Sequence, residues 1–294
     1  MRPEPIEPMP FRDGPYRVRM GLTPISPAQW LAIGPDYAAQ IAEKRRLIAA
    51  DRAAVWQMLP QAQEAATELA GMVAGNLAEH HGAHFSLEAG RLENRLLGES
   101  ETLPPGSLAA IIRHVQEDFC LLQQERPDGL YQLVGASLCF PANWKLADKL
   151  GRPLVAIHEP VPDYEPAVGA AVDRFVQRLV PDRLVTRANW LLSDEPALFQ
   201  LGKRPLSEAI PVDEIGRRLV MRLERQCFCR LPESGAVVFS IRTFVLALEE
   251  AVVTPADARD LIEALSGMDG PALAYRHIGP VLPQLTAWLE GRAG

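Results

Sequence analysis

Residues 219–248, LVMRLERQCFCRLPESGAVVFSIRTFVLAL, carry the strongest β signal in the chain. Two runs rich in Val, Leu, Ile and Phe flank the loop Pro232-Glu233-Ser234-Gly235, and this pattern predicts an antiparallel hairpin. With Leu231 opposite Ala236, counting places Arg225 across from Arg242 and Glu224 across from Thr243. Leu223, Arg225, Cys227 and Cys229 then share a face with Phe244, Arg242, Ser240 and Val238. Arg222, Glu224, Gln226 and Phe228 share the other with Thr243, Ile241 and Phe239. Like charges directly opposite one another destabilise a sheet unless an anion lies between them. The opposed arginines therefore require a carboxylate or phosphate, groups that match the planar guanidinium fork. A carboxylate from a neighbouring helix would serve equally, and a one-residue slip in register would remove the pairing.

Outward from the hairpin, LVTRANWLLS (184–193) reads as a further strand with Arg187 and Asn189 at alternate positions. In YQLVGASLCFPANWKLADKLGRPLVAIHEPVPDY (131–164), the apolar runs Leu130–Phe140 and Pro153–Val161 read as two more, joined by a connector of helical character. The second run carries His158, held between Ile157 and Glu159-Pro160-Val161-Pro162. A single histidine in such a place can be a haem or metal ligand, a catalytic base or a buried imidazole bonded to backbone.

Around this β-rich centre the pattern is helical. Residues 1–25, with five prolines in the first fifteen, read as an extended arm. Ser26-Pro27 opens helical sequence that is broken near Gly34-Pro35 and runs on to 59; a second helix from Pro60 ends at Gly82. His80, His81 and His84 at its end suit a solvated helix terminus better than a metal site. After loops over 86–107, residues 108–124 predict an amphipathic helix with Ile111, Val115, Phe119 and Leu122 on one stripe. A helix follows Pro166, a polar linker with a short helix spans 194–218, and two helices close the chain, one capped by Thr254-Pro255 and one over 281–291. The expectation is an α+β fold: an antiparallel sheet of about five strands with flanking N- and C-terminal helices, in a single domain over 26–294 behind the arm.

Composition narrows the function classes. A formal charge of −7 and the lack of a Lys/Arg cluster argue against nucleic acid. No apolar run reaches the length of a membrane helix, and the N-terminus lacks a signal-peptide pattern. Cys120, Cys139, Cys227 and Cys229 form neither a CxxC pair nor a disulfide framework, which suggests a reduced, cytoplasmic chain. Metal chemistry would have to come from a prosthetic group.

Several long segments carry a resemblance. MGLTPISPAQWLAIGPDYAAQIAEKRRLI (20–48), QEDFCLLQQ (116–124), 131–164, VTRANWLL (185–192) and MRLERQCFCRLP…VVFSIRTF (221–244) resemble the α subunit of haem-dependent oxidative N-demethylases. The resemblance runs from about Tyr16 to beyond Phe244. It implies a PAS-like fold that holds haem b non-covalently and oxidises a small methylated amine, such as dimethylamine, with O2, releasing formaldehyde. Electrons would come from NADPH through a separate flavin and iron–sulfur reductase subunit, and a folate-binding subunit would capture formaldehyde. This chain has no fingerprint for binding NAD or flavin itself.

Carried onto these residues, the resemblance makes His158 the axial haem ligand. It also motivates haem-propionate contacts for Arg225 and Arg242, or for Arg187, and an amine-holding carboxylate in Glu224. A pocket wall of Trp190 and Tyr131 with Asn189 nearby would suit a methylated ammonium; core packing is the plain alternative for each aromatic. A haem-binding PAS-like sensor or gas-binding module is the competing class, although no output domain or coiled coil accompanies it. A structural subunit that has lost haem is a third.

Overall fold

The computed structural model describes residues 9–126, 129–202, 205–207 and 210–294. Its centre is a seven-stranded sheet built from β1 (Thr23–Ile25), β2 (Trp56–Met58), β6 (Asp118–Gln124), β7 (Tyr131–Ser137), β8 (Leu184–Ser193), β9 (Val220–Arg230) and β10 (Val237–Ala247). Spatial order is β1-β8-β9-β10-β6-β7-β2, and every neighbouring pair is antiparallel. A separate three-stranded sheet contains β3 (Phe85–Glu88), β4 (Arg91–Asn94) and β5 (Glu99–Thr102). The α+β class therefore holds, with seven strands in the main sheet where about five were expected.

The hairpin adopts the counted register: Leu231 N–H donates to Ala236 O at 2.8 Å, Arg225 lies across from Arg242, and Glu224 across from Thr243. Several expectations fail: residues 86–107, read as loops, carry most of the small sheet, and Trp56–Met58, within the helical run to 59, form strand β2. Residues 108–124 do not form one helix; a turn of helix at Leu108–Ile111 gives way to strand β6. Asp118 through Leu122 are all buried, because β6 is central and covered on both faces, and a continuous apolar run satisfies a helical stripe as readily as a strand. The run Pro153–Val161 is not a strand either. A single helical turn, Leu154–Ile157, follows Pro153, and Pro160 and Pro162 deprive the segment of donors for a ladder.

Five longer helices pack around the sheet: α1 (Tyr37–Ala50), α2 (Gln63–His80), α3 (Ala170–Arg178), α4 (Pro255–Ser266) and α5 (Leu282–Ala293). Two apolar clusters lie on one face of the sheet. Residues from α1 and α2 meet Phe119, Cys227, Cys229 and Val238, while residues from α4 and α5 meet Trp190, Leu223 and Phe244. The opposite face is covered by residues 144–179, whose Leu154, Val176 and Leu179 pack with Cys120, Leu122, Phe228 and Phe239.

Buried charges tie the layers together. Lys44 on α1 and Asp118 on β6, 0% and 1% exposed, approach to 3.3 Å, and Lys44 also donates to the carbonyls of Val115 and Glu117. Asp118 Oδ2 accepts the Phe140 N–H at 2.7 Å, and Phe140 O accepts from Arg222 at 2.5 Å. At the N-terminus of α4, Thr254 Oγ1 accepts the Asp257 N–H, and Asp257 answers by accepting the Thr254 N–H. Thr254→Ala is expected to lower stability by about 1 kcal/mol; urea denaturation followed by circular dichroism would show it, and an unchanged midpoint would mean the reciprocal cap contributes nothing.

Candidate active site

His158 follows the helical turn Leu154–Ile157. Its Nδ1 lies 2.9 Å from Leu154 O, and a carbonyl can only accept, so Nδ1 carries the proton. In the neutral ring this leaves Nε2 as a lone-pair donor, and Nε2 has no hydrogen-bond partner among the described residues. Tyr164 stacks on the imidazole with centroids 4.3 Å apart and planes 8° from parallel, fixing the ring's plane. Lys149 Nζ donates to Ile157 O at 2.8 Å and secures the turn. Burial holds the His158 pKa below the ordinary imidazole value; the cations Lys149 and Arg187 act in the same direction, against the hydrogen bond to Leu154. Neutral imidazole is the form that ligates a metal.

The covered face of the sheet presents a polar group in its middle. Strand alternation puts Arg187 and Asn189 of β8 beside Gln226 and Glu224 of β9, in the register Arg187↔Gln226 and Asn189↔Glu224. Glu224 Oε2 accepts from Gln226 Nε2 at 3.0 Å and lies 3.5 Å from Asn189 Nδ2; Oε1 lies 3.8 Å from Arg222 Nε. Arg222 is anchored by the carbonyls of Leu198 and Phe140, and burial depresses its pKa against the pull of Glu224 and Asp118. Arg187 is also depressed by burial, only partly offset by Glu224, Tyr164 and Tyr16. Its Nε is buried without a hydrogen-bond partner. A desolvated guanidinium with unfilled donors is a place for an anion.

Arg225 and Arg242 are on the other face. Arg225 donates to Trp30 O at 3.0 Å; Arg242 pairs with Asp36 at 2.7 Å and donates to Gln40 Oε1 and Thr243 O. Arg242's anion is protein: Asp36, at the start of α1; the fully buried Glu117, whose Oε1 accepts the Ala32 N–H, is pushed toward the neutral form by burial, against the pull of Arg242 and Arg225. A Cβ at Gly34 would come within 2.6 Å of Asp36 Oδ1 and 2.9 Å of Arg242 Nη2, so a larger residue there would displace this ion pair. Arg242 thus pairs with a carboxylate at the start of α1, and Arg225 with a backbone carbonyl.

Trp190 also faces away from His158. It meets Phe11 edge to face at 6.5 Å and lies under Arg276, whose guanidinium is 5.2 Å from its ring. Tyr131 packs in the apolar layer with its hydroxyl accepting from Arg230 at 2.8 Å, at the hairpin-loop end of the sheet and away from Glu224. Neither aromatic joins the Glu224 group. Sequence reasoning passed over Arg222 and Gln226, although both alternate with Glu224 along β9, and Tyr164, whose meeting with His158 depends on the turn between them.

Among the described residues, no group of three or more His, Cys, Asp or Glu is arranged to hold a metal ion, and the four cysteines are buried and unpaired. No described helix is long and apolar enough to cross a membrane. Residues 21–286 match the family model for the haem-dependent oxidative N-demethylase, alpha subunit-like, proteins. The chain belongs to that family.

Proposed function

We propose that this chain is the haem-carrying, amine-oxidising subunit of an oxidative N-demethylase, with its site on the face of the sheet shared by His158, Arg187 and Glu224. The family name implies haem dependence, an oxidoreductase and further subunits. The observation that carries the reading is the state of His158: neutral, its Nδ1–H committed to Leu154 O, its Nε2 unengaged. An imidazole oriented through its other nitrogen is the usual arrangement of a metal-ligating histidine. A single such ligand cannot hold a bare ion, so it suits a prosthetic group that brings its own equatorial nitrogens, as haem b does. Arg187, with an orphaned buried Nε, fits a propionate.

The antiparallel sheet, with one face covered by an irregular helical segment that bears the histidine, supports a PAS-like architecture for the domain over 26–294. The haem supplies activation of O2 when bound. This chain's own residues do the rest. Glu224 is positioned by Gln226 and Asn189 to hold a secondary ammonium and to take its proton, which frees the nitrogen lone pair that assists oxidation of the N-methyl group. The apolar layer of Cys120, Leu122, Phe228 and Phe239 limits water beside it. For dimethylamine the balance is one amine, one O2, two electrons and two protons to methylamine, formaldehyde and water. The electrons come from outside this chain, through a flavin and iron–sulfur reductase, and a folate-binding partner removes formaldehyde.

Glu224→Gln is the direct test. Gln keeps the shape and removes the charge, so dimethylamine should bind the haem-loaded protein roughly 10–100-fold more weakly, the value of one charge-assisted hydrogen bond. The readout is titration of the Soret band with amine, at unchanged haem content. Wild-type protein that takes haem but shows no response to any methylated amine would favour the sensor class instead.

A further inference from the structure

On the same face of the sheet, a groove of about 320 Å³ runs between α3 and the β1–β8 edge. Leu22, Pro24, Phe175 and Val185 make it apolar, and Arg174, Arg178 and Arg183 stand around it. All three arginines are exposed, and none has a carboxylate partner among the described residues. In a chain with a formal charge of −7, three unpaired guanidiniums around one apolar groove form a local excess of positive charge.

The groove adjoins the proposed haem site. Val185 precedes Arg187 by two residues and so lies on the same strand face, and Phe175 packs edge to face on Phe228 of β9 at 5.6 Å. Asp173, next to Arg174, is close enough for its charge to act on Tyr164, the residue stacked on His158. An apolar cleft that is cationic along its outer side and lies beside the strand face bearing Arg187 matches a flat apolar molecule with two carboxylates on one edge.

We propose that this groove seats the propionate edge of the haem, with Arg174, Arg178 and Arg183 as its solvent-side counter-charges. The proposal rests on the haem-binding reading above and adds the direction in which the macrocycle lies: axial ligand inward at His158, carboxylates outward along α3. Arg187 then serves as the single buried contact, and the three exposed arginines act through salt-sensitive attraction.

The test uses the full-length chain loaded with haem or with haem dimethyl ester, which lacks the carboxylate charges. Release to excess apomyoglobin is followed by absorbance. Wild type should retain haem longer than the ester. The triple variant Arg174→Ala, Arg178→Ala, Arg183→Ala should lose haem roughly tenfold faster and keep only the part of the preference over the ester that Arg187 supplies, while its Soret maximum stays unchanged because His158 is intact. Val185→Trp, which fills the groove without touching charge, should reduce loading of both forms. A triple variant that releases haem at the wild-type rate and prefers it to the ester by the full wild-type margin overturns the proposal alone. A wild type that takes up no stoichiometric haem overturns the haem-binding reading as well.

Discussion

Replacing His158 with Ala is expected to remove the wild-type Soret band from haem-reconstituted protein or to shift it to that of a weakly held haem without a protein ligand. The reason is local. Nε2 is the unengaged nitrogen of a ring whose orientation is set by Leu154 O and Tyr164. The fold should survive, because His158 lies at the end of one helical turn in the layer over the sheet and outside the main apolar clusters. Imidazole added to the variant should restore the wild-type spectrum by occupying the vacated space. Dimethylamine should perturb the wild-type band and leave the variant's original band without a counterpart. A variant with the wild-type spectrum before and after amine would remove His158 from the iron.

The largest stability effect is expected at Lys44. Its ammonium is fully buried, bonded to the carbonyls of Val115 and Glu117 and 3.3 Å from Asp118. Asp118 Oδ1 makes no aligned hydrogen bond, so this contact is Coulombic, while Oδ2 is occupied by the Phe140 N–H. Lys44→Met would strand the carboxylate in a low-dielectric core, at a cost of about 3–5 kcal/mol. Asn at 118 can still accept from Phe140 without a charge, so adding Asp118→Asn to Lys44→Met should recover most of the loss. Urea melts of the two single variants and the double variant decide this. If Lys44→Met costs less than about 1 kcal/mol, in the range of exposed pairs, the ion pair does not brace the core.

The hairpin was the most legible part of the chain because its information is local. A four-residue loop and two alternating strands set the register, and with it the face shared by Arg222, Glu224 and Gln226. β6 was not legible, since Phe119–Leu122 is apolar on both faces and only its central place in the sheet separates strand from helix. The strands of the small sheet and the edge strands β1 and β2 are three or four residues long, too short for periodicity to register. His158 was identified through resemblance and its isolation in the sequence, whereas its helical turn, the commitment of Nδ1 and the stacking of Tyr164 are tertiary facts. The opposed arginines show the same division. Their need for an anion follows from register alone, but its source at Arg242, Asp36, depends on how the segment before α1 lies across the sheet.

The peptide of Phe140 has a further consequence. Its N–H is held by the carboxylate that Lys44 neutralises, and its C=O by the guanidinium that flanks Glu224. One backbone unit thus joins the helical layer to the strand bearing the proposed amine carboxylate. Over evolutionary time these positions should not drift separately: a change tolerated at residue 44 is expected to depend on what stands at 118, and through the peptide of 140 on what stands at 222. Selection on the chemistry and selection on folding therefore act on a single linked set of residues, and variation among members of the family should appear there as joint replacement.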